Sequence, residues 1–127
     1  MPIISASLDD ESIESLDSVV SSLGLKGRSD AIRHSIRCAT AELKEMDDFG
    51  DMVEGVLIVI HENHNNQWMN KIQYRYERII KTQMHSHLQD RKCLEIMIIT
   101  GDGESAVNMI KEIRSVGEAE YVKFVRS

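Results

Sequence analysis

Apolar and polar positions change their period several times along the chain, and each change predicts an element. Near the N-terminus Ile4, Ala6 and Leu8 alternate with Ile3, Ser5 and Ser7, the two-residue period of a short β-strand. From Ile13 the spacing lengthens, and Ile13, Leu16, Val19, Val20 and Leu23 predict one face of an amphipathic helix. Asp9 or Asp10 can cap its start, and Gly24 suits the left-handed residue that ends such a helix. Ser29 is placed to cap a second helix running to about residue 44 through Ala31, Ile32, Ile36, Ala39 and Ala41. Residues 46–53 hold Asp47, Asp48, Gly50 and Asp51 with no base, the composition of an acidic linker.

The remainder, 54–127, reads βαββαβ. A β-branched run at 56–60 precedes helical spacing over 65–80, carried by Trp68, Met69, Ile72, Tyr76 and Ile79 or Ile80. Strands at 82–88 and 93–100 flank the polar turn Gln89-Asp90-Arg91-Lys92. After Gly101-Asp102-Gly103, the residues Ala106, Val107, Met109, Ile110 and Ile113 mark a helix ending near Gly117, and 119–125 gives a last strand. This order resembles the ferredoxin-like arrangement of ACT-type regulatory domains. The expected class is α+β: a βαα domain over 1–45, the linker 46–53, and an ACT-like domain over 54–127 that joins copies of the chain.

A lone strand leaves its edge groups without partners, so a strand followed by two helices implies pairing with a second chain. The segment 3–8, Leu8-Asp9-Asp10 and Gly27-Arg28-Ser29-Asp30-Ala31-Ile32-Arg33 together resemble the ribbon-helix-helix DNA-binding family. That resemblance implies a homodimer whose paired strands enter the major groove of double-stranded DNA. Ile3, Ser5 and Ser7 would then face base edges, with Arg28, Ser29 and Arg33 at phosphates.

Charge fits this division. Residues 1–23 carry five acids and no base, whereas 26–37 set Lys26, Arg28, Arg33 and Arg37 against Asp30 alone. A net charge of −6 excludes a general nucleic-acid coat but leaves room for that local basic segment. At 127 residues with 42% hydrophobic positions, the chain can build a core, and no apolar run is long enough to span a bilayer. The start has no basic end before an apolar stretch, and two cysteines suit a reducing compartment, so a cytoplasmic protein with no membrane partner is expected. No nucleophile–base set or phosphate-cradling loop is present, and no enzyme is expected.

The candidate chemistry lies in the second domain. His85 and His87, two apart on a strand, share a face, and Cys93 returns alongside them across a short turn. Two imidazoles and a thiolate suit a transition metal; the same spacing also fits a surface histidine pair beside a core cysteine. Residues 84–95, Met-His-Ser-His-Leu-Gln-Asp-Arg-Lys-Cys-Leu-Glu, resemble the H-x-H-x5-C-L-E signature of NikR-type nickel-responsive regulators. The family resemblance covers nearly the whole chain. It implies a homotetramer, a repressor controlled by metal, and square-planar Ni(II) on His85, His87 and Cys93, with a fourth ligand, histidine, from a neighbouring chain. Here the sequence departs from the family, since Tyr74 or Glu77, depending on the alignment, stands at that position. Cu, Co or Zn therefore stay open as alternative ions.

His61 and His64 read as solvated residues at a helix N-terminus, or as donors to a second, weaker site or, across an interface, to the vacant ligand position. Asp30 and His34 form an i, i+4 pair, read as a surface contact or a further cation site. Cys38 and the methionines Met69, Met84, Met97 and Met109 are expected in cores, and Trp68 in helix packing or an interface. Rival functions are an antitoxin, a regulator of the same architecture that senses a small metabolite, and a metal-storage protein. The first needs a disordered tail, the second has no use for the His-His-Cys set, and the third has none for the ribbon.

Overall fold

A computed structural model describes residues 1–62 and 67–127, and it divides the chain into two compact units, Met1–Glu45 and Met46–Ser127. No helix among the described residues is long and apolar enough to cross a membrane.

The first unit is helical. Helix α1 spans Asp10–Leu23, and Asp9 caps it by accepting from the Ser12 N–H at 2.8 Å. Gly24, at φ 64°, ends it in the left-handed conformation that glycine adopts without steric penalty. Helix α2 spans Arg28–Asp47. Its first backbone bond runs from the Ala31 N–H to the Gly27 carbonyl, which makes Gly27 the cap and puts Ser29 inside the first turn. Asp30, in the first turn, accepts from the Lys26 N–H at 3.3 Å and so ties the helix start to the turn before it. Residues 1–9 form no strand in the single chain. The expected ribbon strand is therefore absent here, and the physical reason is that a ribbon needs a second strand to satisfy its backbone.

The second unit runs β1 (Met52–Glu62), α3 (Gln67–Arg75), β2 (Ile80–His87), β3 (Lys92–Asp102), α4 (Gly103–Val116) and β4 (Ala119–Arg126). Its sheet has the order β2-β3-β1-β4 with every neighbouring pair antiparallel, as the ACT-like expectation requires. Along β1 burial alternates, so that Val53, Leu57, Val59 and His61 face the core, and Cys93, Glu95, Met97 and Ile99 do so along β3. Met69 and Ile72 of α3, with Ala106, Met109, Ile110 and Ile113 of α4, close the core over that face.

Three expectations change. Helix α3 stops at Arg75 rather than reaching 80, because tight i→i+3 turns from Glu77 to Tyr74, Ile79 to Tyr76 and Ile80 to Glu77 lead straight into β2. Ile79 is thereby buried against Gly101, where an added Cβ would lie 2.5 Å from its Cγ2. Residues 46–53 are not a free connector. Met46 and Phe49 are buried, the Phe49 ring lies 5.0 Å from that of Phe124, and the Asp48 carbonyl accepts from Arg126 at 2.9 Å. Met84 and Cys38 are exposed, whereas Met69, Met97 and Met109 are core residues as expected.

Candidate metal centre

The antiparallel register builds the site. His87 of β2 pairs with Cys93 of β3, and Cys93 pairs on its other side with His61 of β1, so these three side chains form one row across the sheet. The next row holds His85, Glu95 and Val59. Both rows project from the core face of the sheet, at the end where the Leu88–Lys92 turn joins β2 to β3. That turn is closed by the Leu88 N–H on the Lys92 carbonyl at 2.7 Å, and it holds Asp90 and Arg91 in the left-handed region at φ 59°.

One ligand atom from each of His85, His87 and Cys93 lies within 4.8 Å of the other two. The Cys93 Sγ is 3.6 Å from His87 Nδ1, and the two imidazole rings are 5.1 Å apart. Cys93 is buried while both histidines reach the surface, so the triad is open on the β2 edge and closed toward the core. A soft thiolate beside two borderline imidazoles suits Ni(II), Cu, Co or Zn, and is the wrong donor set for the hard ions Mg²⁺ and Ca²⁺. The residues present therefore fit a transition metal.

Behind the triad lies a polar cluster. Glu95, 3% exposed, sets Oε1 2.5 Å from His85 Nδ1 and 3.4 Å from His61 Nε2, and its Oε2 accepts from Gln73 Nε2 at 3.2 Å. A carboxylate on one ring nitrogen orients the imidazole and directs the other nitrogen elsewhere, the usual support for a ligating histidine. His61 is 1% exposed, lies on β1 rather than at a helix start, and meets the Trp68 ring edge-on at 5.3 Å. Its expected solvated placement is overturned by strand parity, since β1 continues past the apolar run and His61 falls on the same face as Leu57 and Val59. Glu95 and Gln73 were missed by the sequence reading. The signal was available for Glu95, because Cys93-Leu94-Glu95 repeats the i, i+2 relation that joins His85 to His87.

The other candidates lie apart from this centre. Tyr74 is exposed on α3 and Glu77 is exposed in the turn after it, and Glu77 does not join the gathered triad within the chain. His64 lies outside the described residues. His34 Nε2 is 3.6 Å from Cys38 Sγ, whereas Asp30 pairs with Arg33 at 3.5 Å, so Asp30 and His34 have separate partners. Ile3, Ser5 and Ser7 are exposed in the irregular N-terminal segment. Arg28 makes two bonds to the Asp17 carboxylate at 2.9 and 3.0 Å, and this pairing holds the Asp17 carboxyl below the usual carboxylate range. Beside the triad, Glu120 lies 2.9 Å from the Lys92 ammonium and raises its pKa above the ordinary lysine value.

Residues 54–127 match the family model described as the NikR C terminal nickel binding domain. A protein of Methanococcoides burtonii, named as a nickel-responsive regulator, is 31% identical over 123 residues, covering 94% of this chain and 88% of the relative. Another of that name, from Methanococcus vannielii, is 29% identical over 126 residues, with 97% and 89% covered. Among solved structures, an uncharacterized protein of Thermotoga maritima superposes with a TM-score of 0.55 at 10% identity, covering 60% of this chain and 98% of that one, which is a likeness of fold alone.

Proposed function

This chain belongs to the NikR family, a family of regulators rather than enzymes, and on that footing we propose that it is a cytoplasmic, nickel-dependent repressor that binds duplex DNA. The observation that carries the proposal is the convergence of His85, His87 and Cys93 on one point, in the segment that matches a nickel-binding domain. When bound, Ni(II) supplies a cross-link between β2 and β3.

The chain's own residues supply the rest. Cys93 must give up its thiol proton to act as a donor, so nickel affinity falls as pH falls. Glu95, held by Gln73 and His61, keeps the His85 ring in a fixed orientation. Apolar surface supports assembly in both units. Leu8, Leu16, Val19, Ile32, Ile36 and Ala39 line an open groove of about 420 Å³ in the first unit, the surface a second chain would cover while its N-terminal strand pairs with this one. On the outer face of the sheet Met84, Ile98 and Val125 are exposed beside the half-buried Val56, Ile58 and Ile96, which supports joining two such dimers into a tetramer. In that assembly Ile3, Ser5 and Ser7 face base edges, and Arg28, Ser29 and Arg33 anchor phosphates. Arg28 reaches a phosphate only by leaving Asp17, and Arg33 only by leaving Asp30.

The experiment is a titration with nickel(II), run beside cobalt, copper and zinc, of the full chain and its Cys93→Ala variant, followed by binding to a duplex pool. Tight nickel binding with a sulfur-to-nickel charge-transfer band, both lost in Cys93→Ala, is the expected result. Wild-type affinity in Cys93→Ala would overturn it.

A further inference from the structure

The cysteine and the histidines of the triad are held very differently. Cys93 is buried on β3, which has β2 on one side and β1 on the other, whereas His85 and His87 are exposed on β2, the edge strand. No residue of β2 is buried, and within the chain its backbone pairs with β3 alone. A strand with so little burial opens locally at small cost. We infer that the tip of the β2–β3 hairpin is only partly docked without metal, and that backbone strain at Arg91 sets nickel affinity by setting the docked fraction. This rests on the proposed metal role of His85, His87 and Cys93.

The strain lies in the turn between two of the ligands. His87 and Cys93 are directly opposed in register, and the Leu88 N–H closes the loop beyond them on the Lys92 carbonyl at 2.7 Å. Inside that loop Asp90 and Arg91 both stand at φ 59°, and among the described residues no other non-glycine residue has a positive φ. A hairpin turn with positive φ at both central residues ordinarily carries Asn-Gly or Asp-Gly. Asp90 suits the first position, because a short polar side chain tolerates the left-handed region. Arg91 stands where the glycine would, and there its Cβ crowds the backbone carbonyl that follows. Arg91 is exposed, so burial of its side chain does not offset that cost.

Strain and metal act on one equilibrium. The triad closes on an ion only when the tip is docked, and docking takes Arg91 into the left-handed region. The apparent affinity is the intrinsic affinity reduced by the docked fraction, so strain in the turn weakens binding without touching any ligand. Relieving it tightens binding in the same way. The turn therefore works as a threshold: below it the edge strand is free to open, and above it the two histidines are fixed against Cys93.

The test uses nickel(II) with the full-length wild type, Arg91→Gly and Arg91→Ala. Glycine removes the strain together with the guanidinium, whereas alanine removes the guanidinium and keeps a Cβ in the left-handed region. Arg91→Gly should bind nickel at least about threefold more tightly, and Arg91→Ala should stay within about twofold of the wild type. Hydrogen exchange gives a readout without metal. In nickel-free protein the Leu88 amide should exchange faster than the amides of the central strand β1, and at least about threefold more slowly in Arg91→Gly than in the wild type. Unchanged nickel affinity in Arg91→Gly would overturn the inference, and so would equal tightening in both variants, which would assign the effect to charge. A nickel-free wild-type Leu88 amide as protected as those of β1 would also overturn it. If Cys93→Ala binds nickel as the wild type does, the metal centre is wrong and this inference with it. If Cys93→Ala loses binding while Arg91→Gly gains none, only the role of the turn falls.

Discussion

The two units of this chain differ in how much of each is completed by one copy. In the second, two helices close over one face of a four-stranded sheet and bury more than a dozen apolar side chains. In the first, Ala31 is the one fully buried residue, and Ile32, Ile36, Leu23 and Leu43 remain exposed on helices that are otherwise well capped. Local signals can be satisfied without a core, since capping and i→i+4 bonding need only neighbours in sequence. Burial needs partners, and in the proposed assembly the partner of the first unit is another chain. The metal triad sits in the completed unit, whereas the proposed DNA-binding residues sit in the incomplete one.

The largest expected effect comes from the completed core. Ile110→Ala removes a fully buried side chain and should cost about 2–5 kcal/mol, by the same amount at every protein concentration. Thermal unfolding over a hundredfold dilution series checks this, and a concentration-dependent loss would break the contrast between the units.

Ile36→Glu probes the other side. It places a charge in the open groove and should weaken pairing by about 2 kcal/mol or more, near thirtyfold in the dimer dissociation constant, while leaving the second unit's unfolding in place. Sedimentation across the same dilution series reads it. Arg33→Ala, on the exposed face of α2, should weaken binding to all duplexes and lower the salt slope by about one, without changing assembly.

The smallest effect is acid fraying of α1. Hydrogen bonds from Ser12 lower the Asp9 pKa below its ordinary 3.8, so the native state favours the carboxylate. The stabilising contribution of this cap is therefore complete above that unfolded value and is lost as pH falls through the lower native one. Asp9→Ala should remove the same small helical signal at neutral pH, seen by circular dichroism. Equal acid sensitivity in wild type and variant would take the cap out of the account.

Most of the second unit was legible in the sequence, because its strands and helices announce their periods and its turns hold glycine or polar clusters. The end of α3 was not. Ile79 and Ile80 continue the helical spacing, and only tertiary burial of Ile79 against Gly101 draws them into a turn and a strand. Phe49 was read as linker because the acids around it dominate the composition, while its ring answers to Phe124, seventy-five residues further on. At the metal centre, His85, His87 and Cys93 were readable from i, i+2 parity and a hairpin, and the structure brings them together. His61 was readable as a candidate donor but was placed at a helix start, and Gln73 was not singled out, since their relation to Glu95 depends on strand order and helix packing that no local pattern states.

The central claim is that a centre in the completed unit governs how the incomplete unit binds DNA. Its most direct test is the affinity for a duplex selected from a random pool, measured with and without nickel(II), for wild type and Cys93→Ala at a concentration where both assemble alike. Nickel should tighten binding of the wild type and leave Cys93→Ala unchanged. An equal response to nickel in both proteins, or none in the wild type, would contradict the account.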